Sequence, residues 1–376
     1  MRIAAAFLFL TAQAFGAFSY SRMLSVDHTK CGASNASNFP VLVSISNITL
    51  KTVANGGHIQ HAATQTSPAV TMPADLVFAA DAAGSTKYAW EVESYDGTNG
   101  ILIAWVKIPT VSHTVDTSFY MLYGDATIAT AQNTGSYSPQ AVWDANYVSV
   151  WHLGNTLTNS VSGGAALANT GSVPFAAGSI GQGVSFNGTS QYLSVATSPL
   201  AAPPMTVEAW VYDQNGGVMW STLSSGIGGN WNGWYATQPG GVEDVSGNNW
   251  GGVKAVQVPF TQNAWHHLVW QPGRISYLNM YADGVSGVAV TSGIQAPNLD
   301  SMHFAVGASH RAVDDNYEKG TMDEVRISNI LRSADWILTE YNNQKAPGNI
   351  GADNFIKFGA ETGGAGRIHH KVTGGE

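Results

Sequence analysis

Short runs of β-branched and aromatic residues, each closed by glycine, proline, asparagine or aspartate, recur along most of the chain. This punctuation constrains the fold more than any other feature. Val41-Leu42-Val43-Ser44-Ile45 and the stretches 101–106 and 118–123 are such runs in the first third. Runs this short with turn chemistry between them read as strands. Asp96-Gly97 and Gly124-Asp125 are turn signals,. No segment from Phe18 to Tyr147 sustains a helical period of useful length. After linker-like Gly135-Ser136-Tyr137-Ser138-Pro139, a second series begins at 148–153. It continues at 183–186, 192–195, 205–212, 265–271, 277–282, 303–307 and 321–328. The expected fold class is all-β, with two β-sandwich domains. One helix is expected near the end. Ser333 is its N-cap, and Trp336 with Glu340, and Ile337 with Tyr341, stand four residues apart on it,.

At 376 residues the chain has room for two cores,. The expected boundaries are a leader at 1–17, domains at 18–147 and 148–345, and a Gly-rich tail at 346–376, of which Gly363 to Glu376 is expected to be flexible or ordered only against a partner,. The leader reads as a signal peptide: Arg2 precedes the uncharged apolar run 3–10, and Ala12-Gln13-Ala14 or Ala14-Phe15-Gly16 offers small residues for cleavage,. An ordinary apolar N-terminus is the alternative. The net charge of -9, with 16 basic against 25 acidic residues, excludes a nucleic-acid backbone as partner,. No later apolar run reaches membrane-spanning length, so no membrane insertion is expected. Cys31 is alone, which forbids an intrachain disulfide; an idle thiol or an intermolecular pair remains,.

Four separated stretches resemble concanavalin A-like (laminin G-like) lectin/glucanase modules. Residues 179–188, Ser-Ile-Gly-Gln-Gly-Val-Ser-Phe-Asn-Gly, are similar to the opening of such modules, and 192–195 with 205–211 to the next two strands. Ala264-Trp265-His266-His267-Leu268-Val269 with Met280-Tyr281-Ala282-Asp283-Gly284 resembles a family hairpin, and residues 320–328, Gly-Thr-Met-Asp-Glu-Val-Arg-Ile-Ser, its last strand. The resemblance implies a jelly roll over the second domain. Residues 18–147 resemble the domain of unknown function numbered 2341, through Phe18 to Arg22, Asn38 to Val43, Trp90-Glu91-Val92-Glu93 and Tyr123-Gly124-Asp125. That family often precedes a laminin G-like module in bacterial, archaeal and phage-associated surface proteins, and no activity carries over from it.

The residues also speak for themselves. Asn187-Gly188 and Asp283-Gly284 suit tight hairpins. Trp210 and Trp265 alternate with small or polar neighbours, as inward strand residues do. His266 and His267 face opposite sides of a strand, one core and one exposed, and so do not chelate one metal together. Asp323 and Glu324, like Glu243 and Asp244, are adjacent and expected on opposite faces. Glu91-Val92-Glu93 alternates but lies in the other domain. The paired carboxylates of a retaining glycosidase are therefore not visible, and no enzyme is expected. The resemblance implies one structural Ca²⁺, with Asp323 as a ligand and the loop of Asn159 and Gly163 supplying oxygens.

Carbohydrate recognition would rest on loop aromatics. Trp231, Asn232, Trp234, Tyr235 and Trp250 crowd a stretch rich in Gly and Asn, where rings pack on sugar C–H faces and amides meet hydroxyls,. The functional expectation is a non-catalytic, adhesin-like surface protein that binds a glycan or polysaccharide, secreted or displayed on a virion. The alternatives are a structural or protein-interaction component of a phage virion or cell surface, with its own assembly partner, and, behind that, a glycoside hydrolase.

Overall fold

The computed structural model describes residues 18–200, 203–217, 219–224, 230–237, 241–248, 256–273, 277–291, 302–308, 316–345 and 354–363. The leader 1–17, Trp250 and the end of the tail lie outside the described residues. The chain is all-β, with two domains' worth of antiparallel sheet and, among the described residues, a single α-helix, Ala334–Gln344.

In the first domain the strands Ala36–Ser46, Ile101–Val111 and Trp90–Asp96 form one sheet. It shares a core with a second sheet ordered Ile356–Gly363, Tyr20–Val26, Thr117–Tyr123 and Val77–Ala79. The alternation that marked these runs is what fills the core: Val41, Val43 and Ile45 from one sheet meet Leu24, Val26, Phe119 and Met121 from the other,. The first part of the Gly-rich tail returns to the first domain. Ile356–Gly363 pairs antiparallel with Tyr20–Val26, and Phe355 and Ile356 are buried in the first domain's core. Tyr20–Val26 would otherwise end the sheet with an unpaired row of backbone groups, and the returning strand covers it.

The second domain is a jelly roll of a seven-stranded and an eight-stranded sheet. In the eight-stranded sheet, Thr206–Asp213 lies between Lys319–Ser328 and Trp265–Pro272. Alternation divides these strands. Val207, Ala209, Val211, Leu268, Trp270, Val325 and Ile327 point into the jelly-roll core with Trp151, Trp220 and Phe304. Each large side chain buried there contributes roughly 1.5–3 kcal/mol. The alternate positions Glu208, Trp210, His267, Val269 and Arg326 are also buried, but outside that core. Trp210, expected as a jelly-roll core residue, instead packs on His267 and Tyr341 and donates its indole N–H to Gln344. Trp265 is half-buried at the strand end, edge-on to Tyr212. His267 is buried and His266 half-buried, held by Asp283 and Thr261. At the hairpin, Asp283 and Gly284 both take positive φ, 53° and 77°, which is the backbone a two-residue turn of this kind needs,.

The helix ties the two domains together. Ser333 caps it by accepting from the Trp336 amide, as expected,. Trp336 joins the first domain's core, edge-on to Phe39 at 4.9 Å between centroids, while Ile337 packs on Val269 and Tyr281 of the second. Asn343 accepts from the Leu42 amide and donates to the Pro40 carbonyl, bridging to the first domain as a backbone partner would.

Candidate functional site

The outer face of the eight-stranded sheet meets the first domain and the helix in a sealed layer of charge. Glu91, Glu93, His152, Glu208, Asp323, Glu324, Arg326 and Glu340 are each exposed by 6% or less. Two β-bulges aim the acids there. Glu208 pairs with Arg326 and Trp210 with Asp323, so Glu324 and Val325 both stand opposite Ala209; Glu324 takes a φ of 56°,. In the first domain Val92 pairs with Ala104 and Ser94 with Ile103, leaving Glu93 as the extra residue. Adjacent Asp323 and Glu324, expected on opposite faces, therefore both reach the layer: Asp323 feels the charge of Glu324, and His152 acts on both.

His152 follows the strand Tyr147–Trp151 and sits at the centre. Its Nδ1 is 2.7 Å from Glu324 Oε1 and 3.7 Å from Glu93 Oε2; its Nε2 is 3.5 Å from Glu91 Oε1. The ring lies against Trp105 and Trp143. Those indoles donate to the acids around it, Trp105 to Glu93 at 2.9 Å and Trp143 to Glu91 at 2.8 Å, and Ser160 donates to Glu91 at 2.6 Å. Arg326 donates to Glu324 and to Glu340, each at 2.6 Å, with its guanidinium over the Trp105 ring. Glu340 also accepts from Tyr147 and Trp336, so the fourth position of the expected helix pair does interdomain work.

Burial raises the Glu93 and Asp323 carboxyls well above the usual range, and the neighbouring charge of Glu324 adds to this,. Burial also raises Glu208, with Glu340 adding to it. Burial works against ionised Glu324 too, but His152 and Arg326 outweigh it and hold the carboxyl below its ordinary value. For His152, burial alone would lower the imidazole; Glu324 and Glu91 outweigh it and hold it well above the usual value. Glycine makes the close packing around Asp323 feasible: a Cβ at Gly178 would stand 2.5 Å from its carboxylate.

The calcium set implied by the resemblance is not assembled. Asp323 is buried and accepts from the Ile180 amide. Asn159, however, has both lone pairs of its side-chain oxygen taken by the Val150 and Val161 amides, so it holds its loop and has none left for an ion,. Gly163 stands in a turn of that loop with φ 75°. A second acidic grouping, Asp27, His28 and Asp116, is partly exposed and already has a cation, with Lys357 Nζ 3.0 Å from Asp27 and 3.5 Å from Asp116.

The expected sugar-binding residues fall on a strand, not a loop. Trp231, Asn232, Trp234 and Tyr235 belong to Asn230–Thr237, paired throughout with Gly241–Asn248; Trp231 is opposite Gly247 and Trp234 opposite Asp244. Trp250 lies outside the described residues. The sequence reading did not find a separate open cleft of about 420 Å³ beside the strand Tyr147–Trp151. Exposed Ser162 and Thr197 and half-buried Val148 and Pro199 line it, with Gly163 and Gly164. No carboxylate is among its lining residues. The sequence carried no signal for it, since residues far apart in the chain form its walls.

Residues 187–338 match the family model of the concanavalin A-like lectin/glucanases superfamily, and residues 73–140 match that of the domain of unknown function 2341. No curated protein matches the chain. Among solved structures, domain 4 of AbnA, a GH43 extracellular arabinanase from Geobacillus stearothermophilus, in complex with arabinotriose, is 17% identical, with a TM-score of 0.40 over 53% of this chain and 99% of that one. The binding domain of botulinum neurotoxin serotype G is 13% identical, TM-score 0.42, over 52% of this chain and 50% of that one, so the match spans half its length. A heptameric SAP-like pentraxin from Limulus polyphemus is 15% identical, TM-score 0.35, over 46% of this chain and 93% of that one. No helix among the described residues is long and apolar enough to cross a membrane. The second domain thus carries, at 187–338, a module of the concanavalin A-like lectin/glucanases superfamily, and the first carries, at 73–140, a stretch that matches the unknown-function family 2341.

Proposed function

We propose that this protein is a non-catalytic, adhesin-like surface protein that binds a glycan through its jelly roll. The observation that carries the reading is the cleft beside Tyr147–Trp151. It has the volume of a small-ligand site, and hydroxyls, backbone groups and apolar carbons line it without a carboxylate among them,. That lining suits a neutral polyhydroxylated ligand, and bond cleavage by the two-carboxylate route requires acids that it lacks. The superfamily match supports the same reading. The acids of the last strand are locked in the sealed layer and do not line the cleft.

The test is a glycan array on the full chain, followed by titration of the retained glycan. Ser162→Trp, which fills the cleft from an exposed position, is expected to abolish retention while the melting temperature holds. Unchanged retention by this folded variant refutes the cleft as the seat, and reducing-sugar release from the retained glycan refutes the non-catalytic reading. Trp231→Ala with Trp234→Ala tests the aromatic strand Asn230–Thr237: intact retention by that folded double variant removes the pair from the site.

A further inference from the structure

We infer that Glu93, His152 and Glu324 form an interdomain site for a first-row divalent cation of the zinc or manganese class. The proposal is independent of the glycan reading.

The geometry comes first. One oxygen from each carboxylate and one ring nitrogen of His152 all lie within 4.8 Å of one another. Three donors so placed close around an ion with small rotations, since metal–ligand distances near 2.0–2.2 Å put neighbouring ligands roughly 3 Å apart. Outer-shell partners already stand where a metal site needs them. Glu91 Oε1 lies 3.5 Å from His152 Nε2, the nitrogen facing away from Glu324, and so suits the carboxylate that orients a ligating imidazole,. Arg326 holds the far oxygen of Glu324, and the Trp105 indole N–H holds Glu93.

An orphan atom stands in the same layer. Asp323 Oδ1 is buried and has no hydrogen-bond partner, and its residue is fully buried. Charge completes the argument. Glu91, Glu93, Glu208, Asp323, Glu324 and Glu340 share Arg326, Arg332 and His152 as positive partners in a buried layer. A buried carboxyl favours its neutral form unless positive charge stands beside it, and a divalent ion supplies two such charges. The imidazole selects the metal, because calcium and magnesium take oxygen donors whereas a nitrogen with carboxylates suits zinc or manganese. The first domain supplies Glu93 and the second supplies His152 and Glu324, so the ion enters as the domains dock.

The experiment unfolds the full chain in denaturant with chelator and refolds it with Zn²⁺, Mn²⁺, Co²⁺ or Ca²⁺ supplied singly. Bound metal is measured after desalting. About one ion of Zn²⁺ or Mn²⁺ per chain is expected. The Co²⁺ form is expected to show visible d–d absorption, and Glu91→Gln to weaken retention by about 10–100-fold with the fold intact. Glu93→Gln is expected to lose retention altogether. Refolded, native wild-type chain that keeps no Zn²⁺ or Mn²⁺, or keeps only Ca²⁺, overturns the assignment. Equal retention by folded Glu93→Gln overturns it as well. Where Glu93→Gln does not fold, the Co²⁺ spectrum of the wild-type chain decides: a band supports the site, and its absence rejects it.

Discussion

Arg326→Met is the most direct perturbation of the layer that joins the domains. The guanidinium is 1% exposed, donates to Glu324 and Glu340 at 2.6 Å each, and lies 4.3 Å over the Trp105 ring. Methionine keeps much of the stem's apolar contact but strands two carboxylates in a region without water. Removing one partner of a buried ion pair costs about 3–5 kcal/mol, chiefly through the charge left behind. Against a total stability of about 5–15 kcal/mol, that is a large fraction. The assay is urea denaturation of the full chain, monitored by tryptophan fluorescence. If stranded charge is the cause, Glu340→Gln in the Arg326→Met background is less costly than the two single changes added, by about 1–3 kcal/mol of coupling. A loss below about 1 kcal/mol for Arg326→Met, or strict additivity with Glu340→Gln, refutes the reasoning and makes the contacts mere neighbours.

Two further outcomes follow from the same structure. Phe355→Ala is expected to cost about 3–5 kcal/mol and to speed amide exchange across Tyr20–Val26, because Phe355 anchors the strand that covers that edge; unchanged exchange there would mean the edge is protected otherwise. Burial lowers His267 from 6.5 to about 4, so the native state holds it neutral while the unfolded chain takes up its proton. Its contribution is complete above the unfolded value and is lost as pH falls from about 6.5 to about 4, on the order of 3 kcal/mol in all. In stability measured across that window, His267→Gln should flatten the acid-side slope relative to wild type; an unaltered slope rules out His267 as its source.

The strand content, the helix with its Ser333 cap and the jelly roll were legible because they rest on local signals: period-two alternation, turn residues and a capping oxygen,. The charged layer was not, and the reason is specific. Parity along a regular strand puts Asp323 and Glu324 on opposite faces. One extra residue at the bulge breaks that parity, and nothing in the residues Asp-Glu-Val-Arg shows where the extra residue falls,. Glu91 and Glu93 did show their alternation, but an acid pair on one strand reads as solvent-facing until the partner that buries it is known. That partner is the second domain, reached through His152, Arg326 and a helix whose tryptophan belongs to one core and whose isoleucine packs on the other domain. The returning strand Ile356–Gly363 was hidden for the same reason: its pairing partner begins at Tyr20, more than three hundred residues earlier, and a glycine-rich sequence carries no trace of that. The interdomain junction is thus built from long-range pairings that local sequence cannot specify. It is also where the chain concentrates its buried charge, which makes docking of the two domains, more than either sandwich alone, the step on which the arrangement of these acids depends.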